Sequence, residues 1–566
     1  MPAPERKGIL TLLDHDSNLK TPAFQRTFAW GRQQVHEFWT DLSRALDAQP
    51  SDDYFLGLIV LDTTDQIQDG QQRLAMTLLF ASEISNRIAA VAAAGTHDAQ
   101  LVRDAVAAVA SALRQTPTAP LRISAQDQEV LLNRAGIRGD SPESAKRLAA
   151  ARKQLGSHLD VDLESRTSPD ARLGRLKQWG SFLRHEAYVV VLRVPPKDAH
   201  NIFETLNTRG VRLSNGDLVK SHLLSRAADV DLATSKWTAA TDALKDAKGK
   251  YEDDLERFLL HYYGSRYGRT TNAEFFTNYR NKVASKDALA ALDELIESAK
   301  LYRALAAPAE SAAIWSQIGA GTQQAIELVN ALALRQLRFL LLAVMRDFAG
   351  ANPTAAGRRK QRDAVLKLTA WSMRALVDGR IGGGEAERTF IKAALEISSG
   401  NFTKVVQLKQ HFREHEMLSL DDKLFEARFR EFPFDRPTSH TRARAVLYAL
   451  EYQKIANKSG LKPRDTLTVE HVLPKSPEEG QWQAFSDDDR AAYPYMLGNL
   501  LLIDGPSGAN DLLATKEWND KKQLIRTWGQ QTPLTADALK RRQWTKDTIQ
   551  RRTDDLAKLA VKTWSL

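Results

Sequence analysis

The 566-residue sequence contains no cysteine, which excludes disulfides, thiolate zinc sites and a cysteine nucleophile. Its first ten residues, MPAPERKGIL, lack an apolar core of signal-peptide length. The longest apolar runs, such as Phe339–Met345, are too short to cross a bilayer. No Walker A motif occurs in the sequence, so any nucleotide hydrolysis must depend on a different kind of site. We therefore expect a soluble, cytoplasmic protein with no membrane partner.

The composition is that of a globular protein with an excess of positive charge. Hydrophobic residues make up 43% and charged residues 26% of the chain, which is ordinary for a soluble protein, and the length allows several domains. The net charge is +9 and the pI about 9.4. This charge suits a polyanionic partner, although it is spread over a long chain and does not by itself identify one.

The order of patterns along the chain predicts an α+β protein that is mostly helical. Buried strands are expected at 54–61 and 188–192, with a short strand at 66–68, because these runs are apolar or β-branched and end at turn residues. From 228 to 425 the periodicity is almost wholly helical, with long amphipathic stretches at 325–345 and 363–376. We predict three domains, at 1–227, 228–425 and 426–566.

Near the C-terminus, a β-rich run ends in the pair Glu470-His471, and Gly498-Asn499, Asn510 and Lys521 follow in that order. A metal-dependent phosphodiesterase of the HNH type needs these residue types. His471 can deprotonate water, and Asn499 can orient the His471 ring. Glu470 and Asn510 can supply oxygens to Mg²⁺ or Mn²⁺. Lys521, or its neighbour Lys522, can neutralise the leaving phosphate.

A second candidate centre is Asp69-Gly70-Gln71-Gln72-Arg73, which lies between a predicted strand and a predicted helix. Glycine allows the backbone to approach a ligand closely, and a helix start offers free N–H groups to an anion. Asp69 can hold a metal or a water, and Arg73 can pair with phosphate. The same residue types are also typical of a solvated helix start, so the pattern alone leaves both interpretations open.

The C-terminal segment resembles the HNH nuclease domain of GmrSD-like type IV restriction enzymes, whose pattern is E-H-I-L-P-Q, then L-G-N-L-T-L-L, then L-N-x-x-x-x-N-x-x-F-x-x-K. The matching residues are Glu470-His471-Val472-Leu473-Pro474-Lys475, Leu497-Gly498-Asn499-Leu500-Leu501-Leu502, Asn510, Trp518 and Lys521. The family's second helix asparagine falls on Thr515 here, which leaves Asn510 as the candidate metal ligand.

The N-terminal part resembles the ParB/sulfiredoxin-like module of the same family. The matching segments are Phe24-Gln25-Arg26-Thr27-Phe28-Ala29-Trp30, Asp69-Gly70-Gln71-Gln72-Arg73, and Phe203-Glu204-Thr205-Leu206-Asn207-Thr208-Arg209-Gly210. The resemblance implies hydrolysis of a nucleoside triphosphate, GTP or ATP. Asp69 would be catalytic, and Gln25, Arg26, Asn207, Arg209 and the 69–73 motif would bind the nucleotide. The resemblance also implies a ββα-metal fold at the C-terminus and a nuclease licensed by nucleotide.

The sequence thus predicts an NTP-regulated endonuclease that cleaves foreign, modified phage DNA. One alternative is a non-catalytic DNA-binding regulator switched by nucleotide. Another is a toxin that cleaves the host's own RNA. Self-association into a homo-oligomer is left open.

Overall fold

The structure, a computed structural model, describes residues 4–13, 19–22, 27–48, 53–94, 97–113, 121–123, 127, 130–131, 137–138, 141–195, 214–246, 255–283, 286–350, 353–381, 383–417, 421–434, 440–455 and 466–566. The chain forms two compact units. The first is Met1–Ser235 with Asp287–Leu289, and the second is Lys236–Lys286 with Ala290–Leu566. Most of the predicted helical region and all of the predicted nuclease region fall within the second unit, and the three-domain division stays a prediction.

The first unit contains the largest of the described sheets, which has four strands. Its described strands are β1 (Glu5–Gly8), β2 (Leu19–Lys20), β3 (Tyr54–Asp62), β4 (Ile67–Asp69), β5 (Leu121–Arg122) and β6 (Ala187–Val194). Four of them form a mixed sheet in the order β1-β6-β3-β4, in which β3 and β6 are parallel and the outer pairs are antiparallel. β2 and β5 form a separate parallel pair. The predicted strands at 54–61, 66–68 and 188–192 are confirmed, with shifts of one or two residues at their ends.

Helices pack against this sheet and supply most of the core. They are Ile9–Leu12, Arg32–Asp47, Gln71–Ala93, Ala99–Leu113, Glu143–Glu164, Pro169–His185 and Asn215–Arg226, followed by Val230–Asp242 across the unit boundary. Large aromatic rings meet at the centre, where Trp179 lies 5.0 Å from both Trp39 and Phe80. Edge and offset contacts of this kind add to the free energy of burying the rings.

One of these helices, Gln71–Ala93, is long and apolar enough to cross a membrane by length and composition. However, 61% of its apolar window is buried inside the structure. Its apolar character is therefore explained by packing, as expected for a core helix of a globular unit.

The second unit is helical except for one two-stranded pair among its described residues. Its α-helices are Leu255–Arg266, Phe275–Val283, Ala288–Ala306, Ala312–Ile318, Thr322–Ala331, Arg338–Asp347, Ala355–Val377, Gly383–Ser398, Val405–Glu414, Asp422–Glu431, Thr441–Lys454, Asp487–Ala492, Ala509–Leu513, Trp518–Thr527, Pro533–Ala538 and Lys546–Thr563. The almost wholly helical character predicted for 228–425 is confirmed for its described residues.

The continuous helical stretch predicted at 325–345 is wrong. The first helix ends at Ala331, a 3₁₀ turn covers Arg335–Leu337, and the next helix begins at Arg338. Ala333 has a φ of 59°, which a residue with a Cβ rarely adopts and which breaks a right-handed helix. The apolar periodicity continues through the break because Leu332, Leu334 and Leu337 are all buried, so the pattern does not reveal it.

Candidate functional sites

The first candidate centre is the junction between β4 and the helix Gln71–Ala93. Asp69 is the last residue of β4, and Gly70 is the N-cap of the helix with a φ of 97°. A Cβ placed on Gly70 would lie 2.1 Å from Cδ1 of Ile59. Glycine is therefore required here for two reasons, namely the left-handed backbone and the close approach to β3.

The Arg73 guanidinium connects the two sides of this junction. Its Nη2 donates to Oδ2 of Asp69 at 3.1 Å, and its Nη1 donates to the carbonyl oxygen of Leu56 at 3.0 Å. The side chains of Arg73 and Asp69 are 21% and 26% exposed, respectively. A Cβ on Gly57 would lie 2.2 Å from Nη1, so this glycine makes room for the guanidinium. The pair is thus within reach of a ligand from solvent.

Gln72 attaches a neighbouring segment to the same junction. Its Oε1 accepts from the backbone N–H of Ala29 at 2.8 Å, and its Nε2 donates to the carbonyl oxygen of Thr27 at 3.3 Å. The motif therefore positions the end of the predicted 24–30 segment. Gln71 is also buried, at 9% exposure.

Four residues predicted to bind nucleotide, Gln25, Arg26, Asn207 and Arg209, lie outside the described residues. Their roles stay predictions. Within the described part, the centre consists of Asp69, Gly70, Gln71, Gln72 and Arg73.

The second candidate centre is built on an antiparallel pair of strands, β7 (Thr468–His471) and β8 (Leu500–Ile503). The helix Ala509–Leu513 follows β8 and packs against β7. His471 is the last residue of β7, is partly buried and is paired in register with Leu500. A strand pair followed by a helix, with a histidine at the strand end, is thus the local architecture around the predicted general base.

Glu470 points into the interior, because successive side chains of a strand face opposite sides. Its Oε1 accepts from Nζ of Lys521 at 2.6 Å. Lys521 also donates to the carbonyl oxygen of His471 at 2.8 Å, and its side chain has 0% exposure. Burial raises the pKa of the Glu470 carboxyl to about 7, against the pull of the Lys521 ammonium. Burial likewise lowers the pKa of Lys521.

This placement departs from the sequence prediction for Lys521. We expected its ammonium to neutralise a leaving phosphate, but a fully buried ammonium offers no surface to a substrate. Its bonds to Glu470 and to the backbone of His471 instead make it a positioning residue. Nζ of the partly exposed Lys522 donates to the carbonyl oxygen of Arg541 at 3.3 Å, and its alternative role at the phosphate stays a prediction.

Asn499 is fully buried and holds the segment that follows His471. Its Oδ1 accepts from the backbone N–H of Leu473 at 2.8 Å and from Nε1 of Trp544 at 3.0 Å. Its Nδ2 donates to the carbonyl oxygens of Leu473 at 2.9 Å and Pro494 at 3.1 Å. We expected Asn499 to orient the His471 ring, whereas these bonds orient the backbone two residues further on.

Asn510 is exposed in the helix after β8, and its Nδ2 donates to the carbonyl oxygen of Val469 at 3.2 Å. This bond uses only Nδ2, so the Oδ1 atom of Asn510 is left as an oxygen ligand for a metal ion beside the strand that carries Glu470 and His471. Among the described residues there is no group of three or more His, Asp or Glu side chains suited to a metal ion. In this structure Glu470 is paired with Lys521, so Glu470 and Asn510 do not form an open two-oxygen site.

His440 is a site residue that sequence reasoning missed. It is the N-cap of the helix Thr441–Lys454, which we call the His440 helix. The rings of His440 and His471 lie 5.1 Å apart at an interplanar angle of 68°. No motif signals His440, because it precedes the Glu-His pair by about 30 residues. Only the fold brings the two rings together.

Comparison with known families matches two separate regions of the chain. The N-terminal domain of the GmrSD restriction endonuclease matches residues 9–224. The C-terminal domain of GmrSD restriction endonucleases matches residues 420–559. No curated protein matches the chain. The two matched regions span more than half of the chain and place it among restriction nucleases, whose partner is DNA. The chain belongs to the GmrSD restriction endonuclease family.

Proposed function

We propose that this protein is an NTP-regulated, divalent-metal-dependent HNH endonuclease that cleaves foreign, modified phage DNA. The observation that carries the proposal is the β7–β8 pair with His471 at its end, inside the region matched by the family's C-terminal domain. In this proposal the pair and the following helix form a ββα-metal nuclease domain, and the first unit is a ParB/sulfiredoxin-like domain. A cytoplasmic location and self-association stay predictions.

His471 is the proposed general base that takes a proton from the attacking water. A neutral imidazole can accept a proton near pH 7, and loss of such a base typically lowers the rate by about 10²–10⁴. Two buried residues fix the backbone on which this ring is carried. Lys521 bonds to the carbonyl oxygen of His471 itself, and Asn499 bonds to the backbone of Leu473.

Glu470 and Asn510 are the proposed holders of a single Mg²⁺ or Mn²⁺ ion. Their carboxylate and amide oxygens suit a hard cation, which in many enzymes takes only one or two protein ligands beside waters and phosphate. Glu470 already carries a cationic partner, because the Lys521 ammonium is bound to its Oε1. When bound, the ion would act as a Lewis acid on the scissile phosphate. Binding requires the Glu470 carboxylate to hold the ion while it keeps its bond to Lys521.

The junction at 69–73 is the proposed nucleoside triphosphatase centre, for GTP or ATP. Asp69 is its proposed catalytic carboxylate, and Arg73 its proposed phosphate contact. Their side chains are partly exposed, so a phosphate can compete with Asp69 for the guanidinium. A phosphate and a planar guanidinium form charge-assisted, often bidentate hydrogen bonds.

Cleavage of a DNA panel tests the nuclease. Plain, glucosylated and phosphorothioate DNA are incubated with Mg²⁺ or Mn²⁺, with and without GTP or ATP. We expect the wild type to cut at least one modified DNA and His471→Ala to lose cleavage while keeping NTP hydrolysis. His415→Ala, which changes a partly buried histidine of the same unit, is the control. Equal loss of both activities in His471→Ala contradicts the two-centre proposal.

NTP hydrolysis by Asp69→Asn tests the first centre separately. Asp65→Asn is the matched control, since Asp65 is also a partly exposed aspartate paired with an arginine, Arg193 at 2.6 Å. We expect hydrolysis to disappear in Asp69→Asn and to persist in Asp65→Asn. If Asp69→Asn hydrolyses NTP at the wild-type rate, the assignment of the 69–73 motif to NTP hydrolysis is wrong.

One observation favours the alternative function, a nucleotide-switched DNA-binding regulator without catalysis. The carboxylate proposed as metal ligand is bonded through its Oε1 to a buried lysine, as in a purely structural ion pair. DNA binding that is unchanged in His471→Ala, with no cleavage of any substrate by the wild type, would support this alternative.

A further inference from the structure

A cavity of about 420 Å³ lies within the second unit, and its lining includes no residue of either candidate centre. Four helices enclose it: Thr322–Ala331, Ala355–Val377, the His440 helix and Lys546–Thr563. The volume is in the range that holds small organic ligands. Two of the enclosing helices lie in the part of the chain that neither family model matches, and the other two lie almost wholly in the matched C-terminal region.

The wall of the cavity combines an apolar surface with amines. Tyr448, Tyr452, Leu328 and Leu366 supply rings and aliphatic groups, and Lys367 and Lys562 supply the cations. Aromatic and aliphatic walls with a few placed polar groups are typical of binding sites for amphipathic molecules.

Two cations and one carboxylate act on Lys367 at the wall of the cavity, and one of these cations, Arg374, is itself paired with Asp422. Burial lowers the pKa of Lys367, and the nearby Lys409 and Arg374 lower it further, whereas Asp363 opposes them. Glu327 also lines the cavity. Lys367 and Lys562 are the amines that line the cavity, and an ammonium attracts an anionic group more strongly than a neutral one.

The C-terminal residues close one side of the cavity. Nζ of Lys367 donates to the carbonyl oxygen of Ser565 at 3.1 Å, and Nε of Arg374 donates to the carbonyl oxygen of Trp564 at 2.7 Å. Lys367 is thus held at the wall by a neutral acceptor. Its Nζ also lies 3.5 Å from Oγ of Ser565, which leaves one of the three ammonium donors for an anion.

The His440 helix connects this cavity to the rest of the second unit. Tyr448, Ala449 and Tyr452 face the cavity. On the same helix, the Glu451 carboxylate accepts from Thr532 at 2.6 Å and from the backbone N–H of Leu534 at 2.8 Å. The helix begins next to His440, whose ring contacts His471. A molecule in the cavity would therefore pack against the element that positions His440.

We propose that this cavity binds a small amphipathic anion, with an aromatic or branched aliphatic body and one sulfonate, carboxylate or phosphate group, and that binding stabilises the His440 helix. The apolar body would occupy the space between Tyr448, Tyr452 and Leu328, and the anionic group would pair with Lys562 and Lys367 together. This binding site does not depend on the nuclease proposal. Its effect on His471 would rest on that proposal.

Binding of 1-anilinonaphthalene-8-sulfonate to the full-length protein tests the site. The matched neutral probe is N-phenyl-1-naphthylamine, which has the same rings without the sulfonate. We expect saturable one-to-one binding of the sulfonate by fluorescence titration, tighter than that of the neutral probe. Binding that is equal for both probes, or that does not saturate, overturns the anionic assignment.

Two variants locate the bound probe. Ala449→Phe fills the cavity and should weaken binding by about tenfold or more, since a packed interior resists added volume. Lys562→Gln removes an exposed amine at the wall and should weaken binding roughly twofold to fivefold. Lys558→Gln, on the same helix and outside the cavity lining, is the control. If Lys562→Gln and the control bind alike, the proposed anion contact is wrong, even where Ala449→Phe fails to fold.

Hydrogen exchange of peptides from the His440 helix provides a readout that does not require nuclease activity. Saturation with the sulfonate probe should slow exchange over Thr441–Lys454 in the wild type and leave the Ala449→Phe variant unchanged. Binding without protection of this helix would overturn the proposed stabilisation. A protein that binds the probe but cuts no DNA would count against the proposed function and not against the site.

Discussion

Each of the two centres contains a carboxylate–cation pair at the end of a strand, but the pairs differ in burial. Asp69 and Arg73 are four residues apart and partly exposed, at 26% and 21%. Glu470 and Lys521 are 51 residues apart, and their side chains are 6% and 0% exposed. The first pair is local and accessible, whereas the second joins distant segments inside the core.

This difference in burial distinguishes a pair that can bind a ligand from a pair that positions the backbone. A partly exposed ion pair contributes about 0–1 kcal/mol to stability, so a ligand can replace one partner at small cost. A buried pair is different, because removal of one partner leaves a charge without water or counterion. We therefore assign ligand exchange to Arg73 and backbone positioning to Lys521. The following predictions test this contrast.

Lys521→Met should cause the largest loss of stability. The substitution leaves Glu470 buried without its cation, and breaking such a pair typically costs about 3–5 kcal/mol. The measurement is urea-dependent hydrogen exchange of the β7 and β8 peptides. The double variant Glu470→Gln/Lys521→Met removes both charges and should recover most of the loss. A single-variant loss below about 1 kcal/mol would mean that the pair is not desolvated.

Glu451 provides a buried carboxylate held by neutral donors. Burial raises its pKa from 4.5 to about 7, so folding favours the protonated form. The resulting stability is complete below pH 4.5 and is lost as the pH rises towards about 7, by roughly 3 kcal/mol at most. Thermal unfolding of the second unit should show this fall, which Glu451→Gln should reduce but not abolish, because Glu470 shifts in the same direction. An unchanged pH slope in the variant would count against the assignment to Glu451.

His440 tests whether the reacting ring needs a neighbour as well as a fixed backbone. An aromatic contact is worth about 0.5–1.5 kcal/mol, so His440→Ala should slow DNA cleavage roughly twofold to tenfold. His440→Phe keeps a ring at the same place and should restore most of the rate at saturating DNA. A loss beyond about 100-fold in both variants would instead indicate that His440 transfers a proton.

Arg73→Met should produce the smallest change in stability, about 1 kcal/mol or less in the first unit, while NTP hydrolysis falls. Hydrogen exchange over β4 and the following helix measures the former, and phosphate release measures the latter. Arg193→Met, which breaks the partly exposed pair with Asp65, is the control and should keep hydrolysis. A large loss of stability in Arg73→Met would show that the Asp69–Arg73 pair has a structural role, like the Glu470–Lys521 pair, and would contradict the contrast between the two pairs.

The sequence by itself determined the local elements of this protein. The strands at 54–61 and 188–192 follow from short runs of apolar and β-branched residues. Ser214 and Asp217 form a capping box at the start of the helix Asn215–Arg226, with Oγ of Ser214 accepting from the N–H of Asp217 at 3.0 Å. Such features depend on nearby residues, so periodicity and turn chemistry reveal them.

Only the tertiary structure decided which distant side chains meet. From the sequence we predicted that Lys521 contacts a phosphate and that Asn499 contacts the imidazole of His471. In the fold, Lys521 is buried against Glu470, and Asn499 is bonded to Leu473. It also brought His440 to His471 and enclosed the cavity between four helices. These contacts join segments far apart in the chain, and side-chain packing selects them. No local pattern carries that information, because the same short stretch of sequence is compatible with many different tertiary packings.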